Sequence, residues 1–225
     1  MMPSPNNWEL KNLLLEGSRS VGIHLNPHQI ACFLIYLGEL KEWNKKINLT
    51  SIRGDQGIVI KHFVDSLTPL KYIKPSSALL DIGSGAGFPG IPLKIADPSL
   101  SVILVDSVRK KVSFQKHIIR QLKLEGIQAF QQWLGDRARS SIKERYFDVV
   151  ISRAISHLDR YLVLGEPYIK KGGKLIAMMG KFKDRELEHH KKTLSTLNLM
   201  HLQTIHLLLP FLNEERALLF FKKAT

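Results

Sequence analysis

The spacing of the apolar residues changes near residue 75. Before that point they recur every three or four positions, which predicts helices and no strand. The clearest helix begins with Asn26 as N-cap and Pro27 in its first turn. Another helix is expected to start with Asp55 as N-cap and to end before Pro69. We therefore expect residues 1–74 to form an N-terminal helical cap or lead-in region.

After residue 75 the pattern alternates between short apolar runs and amphipathic stretches, which predicts an α/β domain built on a parallel sheet. The Lys171-Gly172-Gly173 stretch is expected to form a turn that leads into the fifth strand. The expected strands are 78–81, 100–106, 127–131, 147–152 and 174–179, and the expected helices are 90–96, 108–124 and 158–169.

The end of the chain departs from a plain dinucleotide fold. Two long apolar runs, Met200 to Leu209 and Arg216 to Lys222, flank a turn that contains Pro210, which predicts an antiparallel pair. Residues 75–225 would then form a seven-stranded, mostly parallel sheet closed by a C-terminal antiparallel hairpin. This arrangement resembles the Rossmann-like class I methyltransferases that use S-adenosylmethionine (SAM).

Composition limits the cellular setting and the partners. The single cysteine, Cys32, lies in an apolar run and cannot form an intramolecular disulfide, which favours a reducing compartment. No stretch has the roughly 20 apolar residues of a membrane span, so we expect a cytoplasmic protein, with a monomer as the default. The formal net charge of +13 makes a polyanion a strong candidate partner.

The glycine-rich stretch D-I-G-S-G-A-G-F-P-G at residues 81–90 fits two cofactors. Gly85 to Gly90 match the dinucleotide fingerprint G-x-G-x-x-G, with Asp106 about 20 residues further on. Gly83, Gly85 and Gly87 after an acidic residue are instead typical of SAM sites. Asp81 favours SAM, because its carboxylate would repel a pyrophosphate and attract an ammonium or sulfonium group. Asp106 could accept hydrogen bonds from ribose hydroxyls of either cofactor, or cap the following helix.

Two common methyltransferase chemistries lack their motifs. Amino-group methyltransferases usually resemble N/D-P-P-Y/F after the fourth strand, where this chain has Ile151-Ser152-Arg153-Ala154. Cytosine C5 enzymes need a cysteine nucleophile on that side of the sheet, and Cys32 lies in the helical region.

With these segments placed, the chain closely resembles the RsmG (GidB) family of bacterial 16S rRNA guanine-N7 methyltransferases over nearly its full length. The resemblance rests on six segments: W-N-K-K-I-N-L-T-S-I-R (43–53), K-H-F-V-D-S (61–66), D-I-G-S-G-A-G-F-P-G-I-P-L (81–93), V-D-S-V-R-K-K-V-S-F (105–114), F-D-V-V-I-S-R-A (147–154) and M-M-G-K (178–181). It implies methyl transfer from SAM to the N7 atom of guanine 527 of 16S rRNA.

The resemblance also implies cofactor contacts at Gly83, Phe88, Leu134, Gly135 and Arg153, to which the glycine pattern and the second strand add Gly85 and Asp106. One position departs from the family. Relatives often have an acid directly after the position of Leu134, whereas this chain has Gly135 and then Asp136. Contacts made by backbone amides would survive this change, but a side-chain contact to the adenine amino group would be lost or shifted to Asp136.

Guanine N7 carries an in-plane lone pair, so its methylation needs positioning and no general base. We therefore assign no catalytic acid, base or nucleophile, and we expect no metal site. Arg153 is expected to contact the cofactor or the guanine, or else to form a salt bridge with Asp81 or Asp106. Four residues of the helical lead-in could form a lid or guanine wall, or only local caps and packing: Asn44, Asn48, His62 and Asp65.

Residues 109–123 contain six basic residues and no acidic one. Val112, Ile119 and Leu122 would face inward, which leaves a basic outer face suited to RNA phosphates or simply to solvent. The candidate RNA-binding residues are Arg109, Lys116, Arg120 and Lys123 on this helix, with Lys181 after the fifth strand. The expected partner is 16S rRNA in the small ribosomal subunit or an assembly intermediate. Two alternatives stay open: a SAM-dependent methyltransferase with a small-molecule or protein acceptor, and an NAD- or nucleotide-binding module.

Overall fold

The computed structural model describes residues 7–135, 142–155 and 157–224. Its first helices are α1 (Asn7–Ser20) and α2 (Pro27–Asn44). A reciprocal capping box starts α2: the Asn26 side chain accepts from the Gln29 amide, and the Gln29 side chain accepts from the Asn26 amide. The predicted start of this helix is therefore confirmed.

A helical segment of three pieces follows: α3 (Asp55–Ile58), a π-helical stretch (Val59–Val64) and α4 (Asp65–Leu67). The prediction that Asp55 is the N-cap is wrong by one residue. Gly54 holds that position, and the Asp55 carboxylate pairs with Lys41 of α2 at 2.6 Å. At the end of the π stretch the Asp65 amide donates to the carbonyls of Ile60 and His62. It does not donate to the Lys61 carbonyl, which would be its partner in a regular α-helix.

Within the described residues, seven strands form one sheet in the order β3-β2-β1-β4-β5-β7-β6. The first five strands are parallel, and β6 and β7 form an antiparallel pair, as predicted; β7 also pairs antiparallel with β5. The strands are β1 (Ala78–Ile82), β2 (Ser101–Asp106), β3 (Ile127–Gln131), β4 (Phe147–Arg153), β5 (Ile169–Met179), β6 (Leu199–Leu208) and β7 (Glu215–Lys223). The later helices are α5 (Gly90–Ala96), α6 (Arg109–Gln121), α7 (Leu158–Gly165) and α8 (Lys191–Thr196).

The fifth strand differs from its prediction. It begins at Ile169, where Phe147 pairs with it, and the register then shifts so that Val149 pairs with Lys174. Gly172, at φ +78°, lies inside this irregularity, so the Lys-Gly-Gly stretch is a bulge within β5 and does not precede it. The preceding helix α7 accordingly ends at Gly165, followed by a 3₁₀ turn at Glu166–Tyr168.

Helices cover both faces of the sheet. One apolar cluster joins α1, α2, α5 and α6 to one face, and a second joins α7 and α8 to the other. The helices before residue 75 therefore pack into the same core as the sheet. Gln29 of α2 reinforces that packing, because its side-chain amide donates to the Ile95 and Ala96 carbonyls of α5.

Within the described ranges, no helix combines the length and the apolar character needed to cross a membrane. The same ranges contain no group of three or more His, Cys, Asp or Glu side chains arranged to hold a metal ion.

Candidate active site

A cavity of about 280 Å³ opens at the carboxyl ends of β1, β2 and β4. Parallel α/β sheets bind ligands at this edge, because the loops that follow the strands converge there. Four predicted cofactor residues line the cavity although they come from four separate segments: Gly83, Asp106, Leu134 and Arg153. The other lining residues include Ser107, Gln132, Trp133, Ala154 and Arg160.

The glycine loop leaves its backbone open to the cavity. Gly83 has φ +69°, and a Cβ atom placed there would meet no atom within 4 Å. Gly85 has φ +59° and is not part of the lining, but its amide donates to the Asp106 carboxylate at 2.9 Å. The second Asp106 oxygen accepts from the Val108 amide at 2.8 Å, directly before α6. Asp106 therefore fixes the loop and the start of α6 while it lines the cavity.

Asp81 is fully buried behind the glycine loop. Its Oδ2 accepts from the Gly90 amide at 2.8 Å, and Oδ1 has no hydrogen-bond partner in the described part of the chain. Burial raises the pKa of Asp81 to about 7, although the Gly90 amide and the Arg153 charge oppose that rise. A Cβ on Gly90 would lie 2.9 Å from the Asp81 carboxylate, so this contact requires glycine. The carboxylate joins the loop to α5 and is not itself part of the cavity lining.

The Phe88 side chain points away from the cavity, into the contact between the glycine loop and the helical lead-in. Its ring stacks on His62 with centroids 4.6 Å apart and on Tyr36 with centroids 5.4 Å apart. The guanidinium of Arg153 lies 4.9 Å from the same ring. Phe88 therefore holds the loop against the N-terminal helices.

Arg153 connects the cavity to the helical lead-in. Its Nη1 donates to the Lys61 carbonyl at 2.8 Å and lies 3.5 Å from Asp65, and its Nη2 donates to His62 Nδ1 at 2.9 Å. The alternative prediction for Arg153, a salt bridge to Asp81 or Asp106, is wrong: the acidic partner is Asp65, in the N-terminal region. Sequence spacing gave no signal for this pair, because the two residues are 88 positions apart.

His62 is buried as a neutral ring. Burial and the adjacent Arg153 charge lower its pKa to about 3. Because Nδ1 accepts from Arg153, the ring proton is on Nε2, which donates to the Thr50 hydroxyl at 2.7 Å. Both nitrogens are thus used in local contacts, and neither is available as a proton acceptor at neutral pH.

The other residues of the proposed lid have different roles. Asn44 organises the turn after α2: its Oδ1 accepts from the Leu49 and Thr50 amides and its Nδ2 donates to the Thr50 carbonyl. Asn48 is exposed at the tip of that turn. Asp65 is buried and lines a second cavity of about 330 Å³ that shares Arg153 and Ala154 with the first.

Trp133 is a cavity residue that the sequence reading missed. Its ring is half exposed at the cavity and lies 4.9 Å from the Arg160 guanidinium. A Cβ atom on Gly135 would collide with the indole. The glycine that departs from the family pattern therefore leaves room for this ring. The available signal was an aromatic residue two positions after the end of β3, at the ligand-binding edge. Asp136 lies outside the described residues.

The predicted RNA-binding residues are all exposed. Arg109 lies at the start of α6 beside the cavity edge, whereas Lys116, Arg120 and Lys123 line a groove of about 550 Å³ between α6 and β3. The inward side of α6 differs in detail: Ile118 is fully buried, and Ile119, predicted to face inward, is half-buried and lines the groove. Lys181 pairs with Glu215 at 3.0 Å.

Solved structures share this fold at low sequence identity. A SAM-dependent methyltransferase from Aquifex aeolicus has a TM-score of 0.56 at 15% identity, covering 73% of this chain and 92% of that one. M. jannaschii TYW2, solved in complex with AdoMet, has a TM-score of 0.57 at 13% identity, covering 72% of this chain and 76% of that one. The predicted class I, Rossmann-like methyltransferase fold is confirmed.

Sequence relatives match almost the whole chain. The protein from Geotalea uraniireducens (strain Rf4) named ribosomal RNA small subunit methyltransferase G is 41% identical, covering 96% of this chain and 98% of its own length. The protein of the same name from Lachnoclostridium phytofermentans is 40% identical, covering 93% of this chain and 87% of its own length. The family model GidB, described as rRNA small subunit methyltransferase G, matches residues 29–217. The chain therefore belongs to the GidB family.

Proposed function

We propose that this protein transfers a methyl group from SAM to N7 of a guanine in 16S rRNA. The observation that carries the proposal is the cavity at the carboxyl ends of β1, β2 and β4, where three separated segments of the GidB sequence pattern meet. Membership in a family described as rRNA small subunit methyltransferases supports the substrate class. The same family membership disfavours the dinucleotide reading of the glycine loop.

The lining suits the parts of SAM. The open backbone at Gly83 leaves room for the amino-acid end of the donor, where any side chain would intrude. Each Asp106 oxygen accepts one backbone amide and keeps a lone pair for a ribose hydroxyl. Leu134, Gly135 and the Trp133 ring form the side on which we place the adenine. When bound, SAM supplies a methyl group on a positively charged sulfur.

The arrangement around Arg153 supports chemistry without a general base. The imidazole bonded to Arg153, that of His62, has a pKa of about 3 and uses both ring nitrogens in hydrogen bonds. The guanine N7 lone pair can attack a methyl group without prior loss of a proton, so nothing in the reaction requires such a base. The role of the chain is then to align two groups and exclude water, and such alignment can contribute roughly 7–11 kcal/mol to lowering a barrier.

The remaining assignments concern the whole protein. We place the boundary between the helical cap and the methyltransferase domain after residue 74, because the first strand begins at Ala78. We propose that exposed basic residues bind rRNA phosphates: Arg109, Lys116, Arg120, Lys123 and Lys181. The substrate is 16S rRNA within the small subunit or an assembly intermediate, and the enzyme acts as a cytoplasmic monomer.

Radiolabelled methyl transfer tests the proposal. We expect label from SAM to enter 16S rRNA of small subunits lacking the modification, at one guanosine whose N7-methylation makes the strand sensitive to alkali-driven scission. Label in protein or in a small molecule would support the alternative acceptor class. Label in RNA without scission would exclude N7 as the target atom.

A further inference from the structure

The second cavity adjoins the donor site. It has a volume of about 330 Å³ and shares Arg153 and Ala154 with the cavity assigned to SAM. The helical lead-in forms one side with Lys61, His62 and Asp65, and the end of β5 forms another with residues 178–180. Because the two cavities meet at Arg153, a group bound in one would lie next to a group bound in the other.

The walls of this second cavity suit a planar aromatic ring. Ile52, Met178, Met179 and Leu218 provide apolar surface. Methionine thioethers are polarisable and make favourable contacts with aromatic rings. The volume lies at the lower end of the range for small-ligand sites, which favours a single base over a larger group.

Asp65 is the one carboxylate among the described residues that line this cavity. It is 6% exposed, and its Oδ2 lies 3.5 Å from Arg153 Nη1 and 3.4 Å from Arg216 Nε. These distances exceed the roughly 2.7–2.9 Å of a strong charge-assisted hydrogen bond. Burial raises the pKa of the Asp65 carboxyl, and the charges of Arg153 and Arg216 oppose that rise. The long contacts with the two guanidinium groups leave the carboxylate able to accept further hydrogen bonds.

We infer that this cavity receives the acceptor guanine and that Asp65 accepts hydrogen bonds from its N1–H and 2-amino groups. The inference rests on the proposed function and adds the residue that selects the base. Guanine is the RNA base whose Watson–Crick edge carries two adjacent donors, and an ionised carboxylate presents two acceptors to such an edge. At the same two positions adenine offers the N1 acceptor and a C2–H group, so it has no donor for the carboxylate there.

Binding by this edge is compatible with methyl transfer. N7 lies on the opposite side of the purine, so it stays free to face the donor. In the transfer step the N7 lone pair forms the new C–N bond, the S–C bond breaks with its electron pair on sulfur, and the purine gains the positive charge. A carboxylate at N1–H stabilises that charge as it develops.

Asp65 could instead serve only to neutralise Arg153 and Arg216. The two roles differ in what an amide replacement does. Loss of a structural ion pair would slow transfer to every acceptor base equally. Loss of a base-reading carboxylate would remove the preference for the 2-amino group, because an amide offers one acceptor and one donor in place of two acceptors.

The test compares guanosine with inosine at the modified position of reconstituted small subunits, since inosine keeps N7 and N1–H but lacks the 2-amino group. We expect the wild-type enzyme to have a kcat/KM at least about tenfold higher for guanosine, as expected for loss of one partner of a bidentate base contact. Asp65→Asn should reduce that ratio to within about twofold. Glu214→Gln is the matched control, because Glu214 also pairs with Arg216 but does not line the cavity; it should keep the wild-type ratio.

The outcomes separate the two proposals. Equal wild-type rates on guanosine and inosine would overturn the role of Asp65 and leave the methyltransferase function intact, and this comparison stands even where Asp65→Asn does not fold. A folded Asp65→Asn variant that slows both reactions but keeps their ratio would assign Asp65 a structural role only. Absence of wild-type transfer to either subunit would contradict the proposed function itself.

Discussion

The donor site should be sensitive to a single substitution at Gly83. Its φ of +69° is strained for any L side chain, and the space beside it belongs to the cavity. We predict that Gly83→Val weakens SAM binding at least about tenfold, because the isopropyl group fills space that the donor requires. Isothermal titration calorimetry with SAM measures this effect.

Gly172→Val is the matched control for that variant. Gly172 also has positive φ and open space around it, but it lies in the β5 bulge, outside the cavity lining. Both variants should lose comparable thermal stability through backbone strain, and only Gly83→Val should lose SAM affinity. Normal affinity in Gly83→Val would show that the loop does not hold the donor.

His62 should make the free energy of unfolding fall on acidification. Its folded pKa of about 3 lies below its ordinary value of 6.5, so the unfolded chain binds more protons between those limits. The contribution is fully present above pH 6.5 and declines by up to about 1.4 kcal/mol per pH unit below it. Asp81 acts in the opposite direction, because its folded pKa of about 7 is raised from its ordinary value of 3.8.

Urea unfolding between pH 6 and pH 4.5 checks the histidine contribution. We expect the free energy of unfolding of wild type to decline over this pH range relative to that of His62→Gln, because the glutamine side chain does not titrate. His24→Gln replaces an exposed histidine and controls for loss of an imidazole. Parallel curves for wild type and His62→Gln would contradict the buried neutral state.

The sequence predicted the cavity residues better than their contacts. Asp106 and Arg153 end their strands and Gly83 directly follows another. The carboxyl ends of such parallel strands meet at one edge, so the convergence of the three residues followed from the pattern. The partner of Arg153 did not, because Asp65 reaches it only through the packing of the helical lead-in against the sheet.

Among the elements, the turn after α2 depends on Asn44. Its side chain makes three hydrogen bonds to the Leu49 and Thr50 backbone, and Thr50 in turn binds His62. We predict that Asn44→Ala lowers the free energy of unfolding by about 1–3 kcal/mol, since buried backbone groups lose their partner. Asn48→Ala, an equivalent change at an exposed position of the same turn, should leave stability within about 0.5 kcal/mol of wild type in chemical denaturation. Equal stability of the two variants would contradict this role.

Element boundaries were predicted well where apolar periodicity was uninterrupted. The predicted bounds of α5 and β3 agree with the structure. The β5 bulge was missed because a two-residue period cannot distinguish a glycine turn from a glycine bulge. Helix α8 was missed because it is short and has no buried residue, so it lacks a strong apolar stripe.

For the whole molecule, the net charge of +13 should appear as salt-dependent RNA binding. We predict that the triple variant Lys116→Ala, Arg120→Ala, Lys123→Ala lowers the magnitude of the slope of log K against log salt concentration by about 2–3. SAM affinity should not change, because these residues line the α6–β3 groove and not the cavity. Fluorescence anisotropy with 16S rRNA fragments at several salt concentrations measures the slope.

Lysines of the opposite layer serve as the control. Lys191 and Lys192 are exposed on α8, on the other face of the sheet. Their replacement by alanine should change the slope by less per removed positive charge than the α6 variant does. An equal change per removed charge would mean that RNA responds to total charge and not to this face.

The labelling rate of the Cys32 thiol would measure how often the contact between the helical lead-in and the sheet opens. The thiol is buried on α2, in the apolar cluster that α2 shares with α5, and burial raises its pKa, so a disulfide reagent can reach it only when this region opens. As the single cysteine of the chain, it gives an unambiguous signal without mutagenesis. Labelling at the rate of global unfolding would mean that cap and sheet open together, whereas faster labelling would reveal that α2 separates from α5 without global unfolding.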